Sequence, residues 1–301
     1  NLLAAFSETF AALLVARVMM AVAAGLYIPA ANGLAGVIVP PQLRGRALAF
    51  VSAGQTLAIA FGLPLGGVIG HAFGWRATFL LVAVMSMTAI LGVLTGIPRN
   101  AGADVAVPGL HARMALIGNR AVLRLLAISL FWSIGAYAAY PYLAEYLAEV
   151  LNFGSGAITA TVSLWGVAAA AGVLSGGAFN DRFAADGVVR ASLAVLGISF
   201  LMLAIATAMP PSTAFVLVLL AVALWGFTVW SFFPAQMSRL VMAGGASQAA
   251  VALALNTSTM YLGFSLGSGL GALVLAAGAV WGIGAVAAVA EAAALRMEIH
   301  R

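Results

Sequence analysis

The amino-acid sequence is dominated by long apolar runs that short polar gaps separate. A helix needs about 20 apolar residues to cross a hydrocarbon core of about 30 Å. Runs of about this length lie at 11–39, 47–70, 77–97, 123–144, 156–179, 191–209 and 213–238. The stretch 246–295 contains one charged residue, Glu291, and is too long for a single crossing, so we predict a turn around Gly278 to Gly282. The sequence therefore predicts nine membrane-spanning α-helices.

The composition excludes an ordinary soluble domain. Hydrophobic residues make up 64% of the chain and charged residues 7%, whereas soluble domains carry about 25% charged residues. The excess of basic residues consists of arginines in the gaps between apolar runs, where they set membrane topology. We therefore expect the lipid bilayer as a partner and no nucleic acid.

The distribution of arginine gives an independent test of the number of spans. If successive gaps alternate between the two sides, eleven of the thirteen arginines fall on one side, Arg76 falls on the other, and Arg17 lies within a span. The positive-inside rule places the arginine-rich side in the cytoplasm. The C-terminus is then cytoplasmic, and Glu145 and Glu149 lie at the outer boundary. The longest polar segment, 98–122, is predicted to be a cytoplasmic linker between a helical bundle at 1–97 and a six-helix bundle at 123–301.

Residues that would indicate catalysis or metal binding are few. The chain has no cysteine, and its three histidines, His71, His111 and His300, are scattered. No His-Glu-x-x-His pattern, Ser–His pairing or phosphate-binding loop is present in the sequence. We therefore expect no enzymatic activity, no cofactor and no metal site.

Two spans share a ladder of glycines at every fourth position. The first ladder is Gly62, Gly66 and Gly70, and the second is Gly263, Gly267 and Gly271. An offset of 201 residues relates the two ladders and also pairs Gln55 with Asn256. Small residues four apart allow two helices to approach closely in lipid. The offset indicates two homologous halves and a complete length of about 400 residues, as in secondary transporters, so we expect two to three further spans before Asn1.

Several short motifs resemble those of a known transporter family. The run Gly54–Gly67 (GQTLAIAFGLPLGG) resembles its antiporter motif of the fifth helix, and Gly74–Phe79 (GWRATF) resembles the start of the sixth. Pro40–Ala47 (PPQLRGRA) resembles the preceding cytoplasmic loop, and Gly177–Arg182 (GAFNDR) resembles the loop between the second and third helices of each half. Leu14–Arg17 (LVAR) resembles the fourth-helix motif, although the Gln and Gly that follow in the family are Met20 and Ala21 here.

On these motifs the chain resembles the major facilitator superfamily, particularly the drug:proton antiporter group that includes arabinose and purine-nucleoside efflux permeases. The resemblance runs from the end of the third helix to the twelfth. It implies an all-α integral membrane fold with two pseudo-symmetric six-helix halves, of which the first lacks about two and a half helices.

The function implied by this resemblance is secondary active transport by alternating access. The expected activity is efflux of a small drug-, sugar- or nucleoside-like solute in exchange for protons, by a monomer in a bacterial inner membrane. The residues themselves do not indicate that protons are the coupling ion, because we expect no acidic side chain deep in a span. An importer or uniporter of the same fold and a non-transporting membrane sensor or scaffold are the alternatives.

Six residues are candidates for the substrate cavity: Arg17, Gln55, Tyr140, Trp165, Trp225 and Asn256. Each has a structural alternative. An arginine near a helix end extends to the interface, an intramembrane amide can bond a neighbouring helix, and aromatic residues commonly form belts at the membrane surface.

Helix packing and gating are assigned to a second set of residues. The two glycine ladders are predicted packing faces, and Pro64 is predicted to kink its helix. The resemblance implies that this kink helps to seal the interface between the halves, and that Asp181 and Arg182 act as a cytoplasmic latch. Glu291 is predicted to extend towards Arg296 and the cytoplasmic surface.

Overall fold

The computed structural model describes residues 1–40, 51, 54, 57–98, 101, 118–245 and 248–300, and within these ranges the regular structure is entirely helical. The chain divides into two compact units, Asn1–Val107 and Pro108–Arg301. The boundary falls within 98–122, most of which lies outside the described residues. The role of this segment as a cytoplasmic linker therefore stays a prediction.

The first unit contains four α-helices within the described ranges. They are α1 (Leu2–Ala5), α2 (Phe10–Val37), α3 (Leu63–Phe73), which a π-helical turn at Ala58–Gly62 precedes, and α4 (Trp75–Gly96). The side chain of Thr9 caps α2 by accepting a hydrogen bond from the backbone N–H of Ala12 at 3.2 Å. Gly74 joins α3 to α4 with a φ of +83°, a conformation that glycine adopts at no steric cost.

The second unit contains the remaining helices. They are α5 (Arg120–Ala139), α6 (Leu143–Leu151), α7 (Ser155–Arg182), α8 (Ala185–Ala206), α9 (Pro211–Gly244), α10 (Ala249–Ala276) and α11 (Trp281–Ile299). A 3₁₀ turn at Tyr140–Tyr142 separates α5 from α6, because Pro141 cannot supply the N–H that would continue the α-helical pattern. Since α5 and α6 together form one span, the unit is a six-helix bundle.

Packing within this bundle follows a simple order. Helix α5 packs against α10 and α11, α8 packs against α11 and α9, and α9 packs against α7. The largest fully buried side chains include Trp132, Trp225, Tyr146 and Phe200. The interior is therefore filled mainly by aromatic and aliphatic side chains at the contacts of α5, α8 and α9.

Seven helices of the described ranges are long and apolar enough to cross a membrane. They are Phe10–Tyr27, Trp75–Gly96, Arg120–Leu151, Ser155–Gly176, Ala185–Ala206, Pro211–Gly244 and Val251–Ala276. Large apolar side chains cover their outer surfaces, as hydrocarbon solvent requires. The prediction of an all-helical, multi-pass membrane protein is confirmed.

The last two predicted spans are separated by the expected turn. Helix α10 ends at Ala276, Gly278 has a φ of +68°, and α11 begins at Trp281. Helix α11 is not among the seven apolar helices because Glu291, Arg296 and Glu298 all lie within its 19 residues. The predicted span at 47–70 lies partly outside the described residues, and its visible end continues to Phe73.

Candidate functional site

Three of the predicted cavity residues meet inside the second unit. The ring centroid of Tyr140 lies 4.7 Å from that of Trp165 and 6.3 Å from that of Trp225, and the two indoles are 5.7 Å apart. Both indoles are buried, whereas Tyr140 is half-buried. Gly226 brings α9 close to α7, since a Cβ at this position would lie 2.5 Å from the carbonyl oxygen of Trp165. The aromatic contact thus depends on a small residue beside Trp225.

Further rings extend this contact across the bundle. Tyr137 lies 5.6 Å from Tyr140 and stacks on Phe264 of α10 at 3.8 Å. Phe264 also contacts Tyr261 at 5.6 Å and Trp132 at 6.5 Å. The rings that remain partly accessible, here called the aromatic face, are Tyr137, Tyr140, Tyr261 and Phe264.

Sequence reasoning proposed only Tyr140 from this face. A usable signal was present, because Tyr137 and Tyr140 are three residues apart and so are Tyr261 and Phe264. Residues at that spacing share one side of a helix. Two aromatic i, i+3 pairs on neighbouring helices are a pattern that could have identified the whole face.

The polar atoms of the aromatic residues divide into two groups. The hydroxyls of Tyr142 and Tyr146 donate hydrogen bonds of 2.6 Å to the carbonyl oxygens of Ser268 and Leu203. In contrast, the buried Nε1 atoms of Trp165 and Trp225 have no acceptor within the described part of the chain. The site therefore combines aromatic surfaces with two indole N–H donors that have no acceptor among the described residues.

The other predicted cavity residues have different surroundings. Gln55 lies outside the described residues. Asn256 is fully buried, and its Nδ2 lies 3.2 Å from the sulfur of Met260 and 3.8 Å from that of Met237 on α9. Arg17 is exposed on α2, with its guanidinium 5.9 Å from the ring centroid of Phe79. A cavity role for these three residues stays a prediction.

The two glycine ladders differ in their contacts. The second ladder faces α5: a Cβ at Gly267 would lie 3.0 Å from the amide nitrogen of Ala138 and closer still to the carbonyl oxygen of Ile134. Gly263 and Gly271 also approach the α5 backbone closely.

Contacts of the first ladder are sparse. A Cβ at Gly62 or Gly66 would meet nothing within 4 Å among the described residues, and one at Gly70 would meet only the Thr78 side chain, at 3.5 Å. The role of the first ladder as a packing face therefore stays a prediction. Pro64, where we predict a kink, is the second residue of α3, which directly follows the end of the π-helical turn. The side chain of Pro64 is outside the described residues.

A charged cluster joins the ends of several helices. Nε of Arg239 lies 2.9 Å from Oδ1 of Asp186 on α8, and its Nη2 donates to Oε2 of Glu298 on α11 at 2.6 Å. Its Nη1 donates to Oε1 of Gln236, whose Nε2 donates to the carbonyl oxygen of Leu125 on α5. This Arg239 cluster thus connects α5, α8, α9 and α11.

Only one of the two predicted latch residues has a described side chain. The side chain of Asp181 is outside the described residues, and Arg182 is exposed, with its guanidinium 5.9 Å from the ring centroid of Phe183. Sequence reasoning missed the cluster formed by Asp186, Arg239 and Glu298. The available signal was the position of all three residues near helix ends on the arginine-rich side.

Glu291 is the clearest correction to the sequence analysis. Its side chain is fully buried and points at Gly135 of α5, so the prediction that it extends to the surface is wrong. Arg296 lies five residues further along α11 and is exposed. Five residues at about 100° each place the two side chains on different faces of the helix. The expectation that no acidic side chain lies deep in a span is wrong for the same reason.

Fold and site together define a multi-pass α-helical membrane protein whose second unit is a six-helix bundle with an aromatic face. The sequence matches the Major Facilitator Superfamily over residues 1–268. The chain therefore belongs to this superfamily of membrane transporters.

Individual relatives include proteins named for transport, for chloramphenicol resistance and for sugar efflux. The chain is 28% identical to the "Uncharacterized MFS-type transporter YbcL" of Bacillus subtilis over 271 residues, which are 90% of this chain and 67% of that protein. It is 32% identical to the "Chloramphenicol resistance protein" of Streptomyces lividans over 178 residues, 58% of this chain and 45% of that protein. It is 28% identical to the "Probable sugar efflux transporter" of Mannheimia succiniciproducens over 282 residues, 91% of this chain and 66% of that protein.

The chain spans about two thirds of the length of the relatives that match along most of it. Among solved structures, it resembles a bacterial homologue of the iron transporter ferroportin in an inward-facing state, with a TM-score of 0.64 and 18% identity. This match covers 96% of the chain and 71% of that structure. The similarity supports the fold.

Proposed function

We propose that the protein containing this chain exports a small amphipathic solute across a bacterial inner membrane in exchange for protons. Transport proceeds by alternating access, with the C-terminus in the cytoplasm. Membership of a transporter superfamily and the relatives named for chloramphenicol resistance and sugar efflux support this proposal.

The aromatic face is the observation that carries the proposal. Tyr137, Tyr140 and Phe264 form a continuous, partly accessible surface, and Trp165 and Trp225 lie behind Tyr140. Each favourable aromatic contact contributes about 0.5–1.5 kcal/mol beyond its buried area. A solute with a planar ring stacks on this surface and accepts hydrogen bonds from the adjacent phenol hydroxyls.

Residues outside the aromatic face keep the roles that the sequence suggests. Arg17, Gln55 and Asn256 are proposed to shape the cavity, and Asp181 and Arg182 are proposed to gate its cytoplasmic side. The second glycine ladder is proposed to hold α10 against α5, so that Phe264 stays in contact with Tyr137.

A flux assay with the complete protein in liposomes tests the proposal. Chloramphenicol represents aromatic solutes, arabinose represents sugars, and an imposed pH gradient supplies the driving force. Replacing Tyr140 or Phe264 with alanine is expected to lower chloramphenicol flux and affinity about tenfold, since one lost stacking contact corresponds to about 1.4 kcal/mol. Phe215→Ala is the matched control, because Phe215 is an exposed ring that contacts only Phe153 among the described aromatic residues.

The direction and driving force separate the alternatives. Solute movement that requires the pH gradient and opposes proton flow supports the proposed exchange. Flux that proceeds equally without a gradient indicates a uniporter, and solute that follows the protons indicates an importer. If none of the tested solutes binds or moves, the proposed transport function is wrong for both solute classes.

A further inference from the structure

Glu291 lies near the middle of α11, which the sequence predicts to be the last span. It is ten residues from Trp281, the first residue of a helix that ends at Ile299. At 1.5 Å per residue this distance is about 15 Å, or half of a hydrocarbon core of about 30 Å. Its exposed fraction is 0%. Glu291 is therefore buried and lies at a similar distance along the axis from each end of α11.

A glycine on α5 makes room for this side chain, and a second glycine lies beside it on α8. A Cβ on Gly135 of α5 would lie 2.7 Å from Oε1 of Glu291 and 3.2 Å from its Cδ. A Cβ on Gly197 of α8 would lie 3.7 Å from the Cβ of Glu291. The carboxyl group thus occupies space that a larger residue at Gly135 would fill.

The carboxyl group has no polar partner within the described part of the chain. Neither Oε1 nor Oε2 of Glu291 has a hydrogen-bond donor or acceptor, and Glu291 is in no ion pair. The ionisable residues on the helices that pack against α11 are Arg120, Arg124 and Tyr137 on α5, Asp186 and Arg190 on α8, and Tyr261 on α10. None of these groups bonds to Glu291 among the described residues.

A second acid on the same helix shows what a partnered carboxylate looks like here. Glu298 is seven residues after Glu291, so the two lie on the same face of α11, about 10 Å apart along the axis. Glu298 is also buried, but it accepts a hydrogen bond of 2.6 Å from Arg239. An ionised carboxylate at the position of Glu291 would have no such compensation, and burying an unpaired charge is strongly unfavourable. This environment accommodates the neutral acid.

We propose that Glu291 is a proton-binding site inside the C-terminal bundle. In the packed state its carboxyl group holds one proton. Separation of α5 or α8 from α11 admits water from one side of the membrane, and the acid releases its proton to this water. In the opposite state the solvated carboxylate takes up a proton from water on the other side before the helices close again. The role of Glu291 in transport rests on the proposed proton-coupled function. The presence of the bound proton does not depend on that function.

Infrared spectroscopy of the purified protein in lipid tests the bound proton directly. A protonated carboxylic acid has a carbonyl stretching band that a carboxylate and an amide lack. We expect this band at neutral pH in the unmodified protein, its loss in Glu291→Gln, and its retention in the control Glu149→Gln, which alters an exposed acid on α6. Glutamine keeps the shape and neutrality of the protonated side chain. Absence of the band from the unmodified protein would overturn the proposal without reference to any variant.

Proteoliposome flux then tests the role of the proton. Glu291→Gln is expected to retain the exchange of solute for solute across the membrane, because this exchange needs no net proton movement. Its solute flux driven by a pH gradient is expected to fall at least tenfold. Unchanged gradient-driven flux in Glu291→Gln would overturn the coupling role. If the unmodified protein shows no proton-driven flux at all, the proposed function fails, and the infrared band alone then decides for or against the proton site.

Discussion

Arg239 of α9 donates a 2.6 Å hydrogen bond to the fully buried carboxylate of Glu298 at the end of α11. The same guanidinium contacts Asp186 on α8, and Gln236 extends the connection to α5. Charged contacts therefore fasten the helix ends, whereas aromatic rings and glycines fill the contacts further along the helices. This separation lets the Arg239 cluster hold the bundle together without placing an unpaired charge in its interior.

Loss of Glu298 should destabilise the bundle more than loss of Asp186. Glu298→Gln leaves a largely buried arginine without its buried counter-ion, and breaking such a pair costs about 3–5 kcal/mol. Asp186 has 32% of its side chain exposed, so water compensates for Asp186→Asn, and we expect a loss of about 1 kcal/mol or less. Thermal unfolding of both variants in the same detergent measures the difference. An equal or larger effect of Asp186→Asn would contradict this ranking.

Two glycines on α10 should respond oppositely to alanine. At Gly267 the new methyl group would collide with the α5 backbone at Ile134 and Ala138, and such overpacking costs about 1–3 kcal/mol. At Gly269, two residues away, a Cβ would meet nothing within 4 Å. Gly269→Ala should therefore be neutral or gain up to about 1 kcal/mol of helix propensity. Unfolding midpoints of the two variants provide the test, and similar values would show that the second ladder is not a packing face.

Two tyrosines form another matched pair. The hydroxyl of Tyr146 is buried and donates to the carbonyl oxygen of Leu203, so Tyr146→Phe should cost about 0.5–1.5 kcal/mol of stability. The hydroxyl of Tyr140 makes no hydrogen bond within the described residues, and Tyr140→Phe should leave stability unchanged. If the aromatic face binds solute as proposed, Tyr140→Phe should instead weaken chloramphenicol binding, measured by quenching of tryptophan fluorescence. A stability loss at Tyr140 with unchanged binding would refute this assignment.

The presence of several long apolar helices could be predicted from the sequence because it depends on local properties. The length of an apolar run determines whether it can cross a bilayer, and a glycine with positive φ is the residue most compatible with the tight turn at Gly278. The proximity of Tyr140, Trp165 and Trp225 depends instead on how three separate helices pack. The positions of Trp165 and Trp225 near the middle of their spans made them candidates, but the sequence contains no measure of the distances between the three residues.

The surroundings of a residue could not be predicted where equivalent local patterns have different neighbours. Gly66 and Gly267 occupy equivalent positions in the two ladders, yet only Gly267 meets another helix within the described residues. Glu291 was assigned to the surface from its separation along the chain from Arg296, although helical rotation directs the two side chains to different faces. The error at Glu291 concerns the direction in which a side chain points relative to neighbouring helices.

Whether α11 crosses the membrane can be tested with cysteine labelling, because the chain contains no cysteine. Ala277 lies in the turn between α10 and α11, His300 follows the end of α11, and both are exposed. The positive-inside rule predicts that a membrane-impermeant thiol reagent labels Ala277→Cys in intact cells and labels His300→Cys only after the cells are permeabilised. Burial of Glu291 by α5 and α8 is what makes a crossing possible for a helix with three charged residues, since lipid does not contact the carboxyl group. The opposite labelling pattern would invert the proposed topology, and labelling of both positions from one side would show that α11 does not cross.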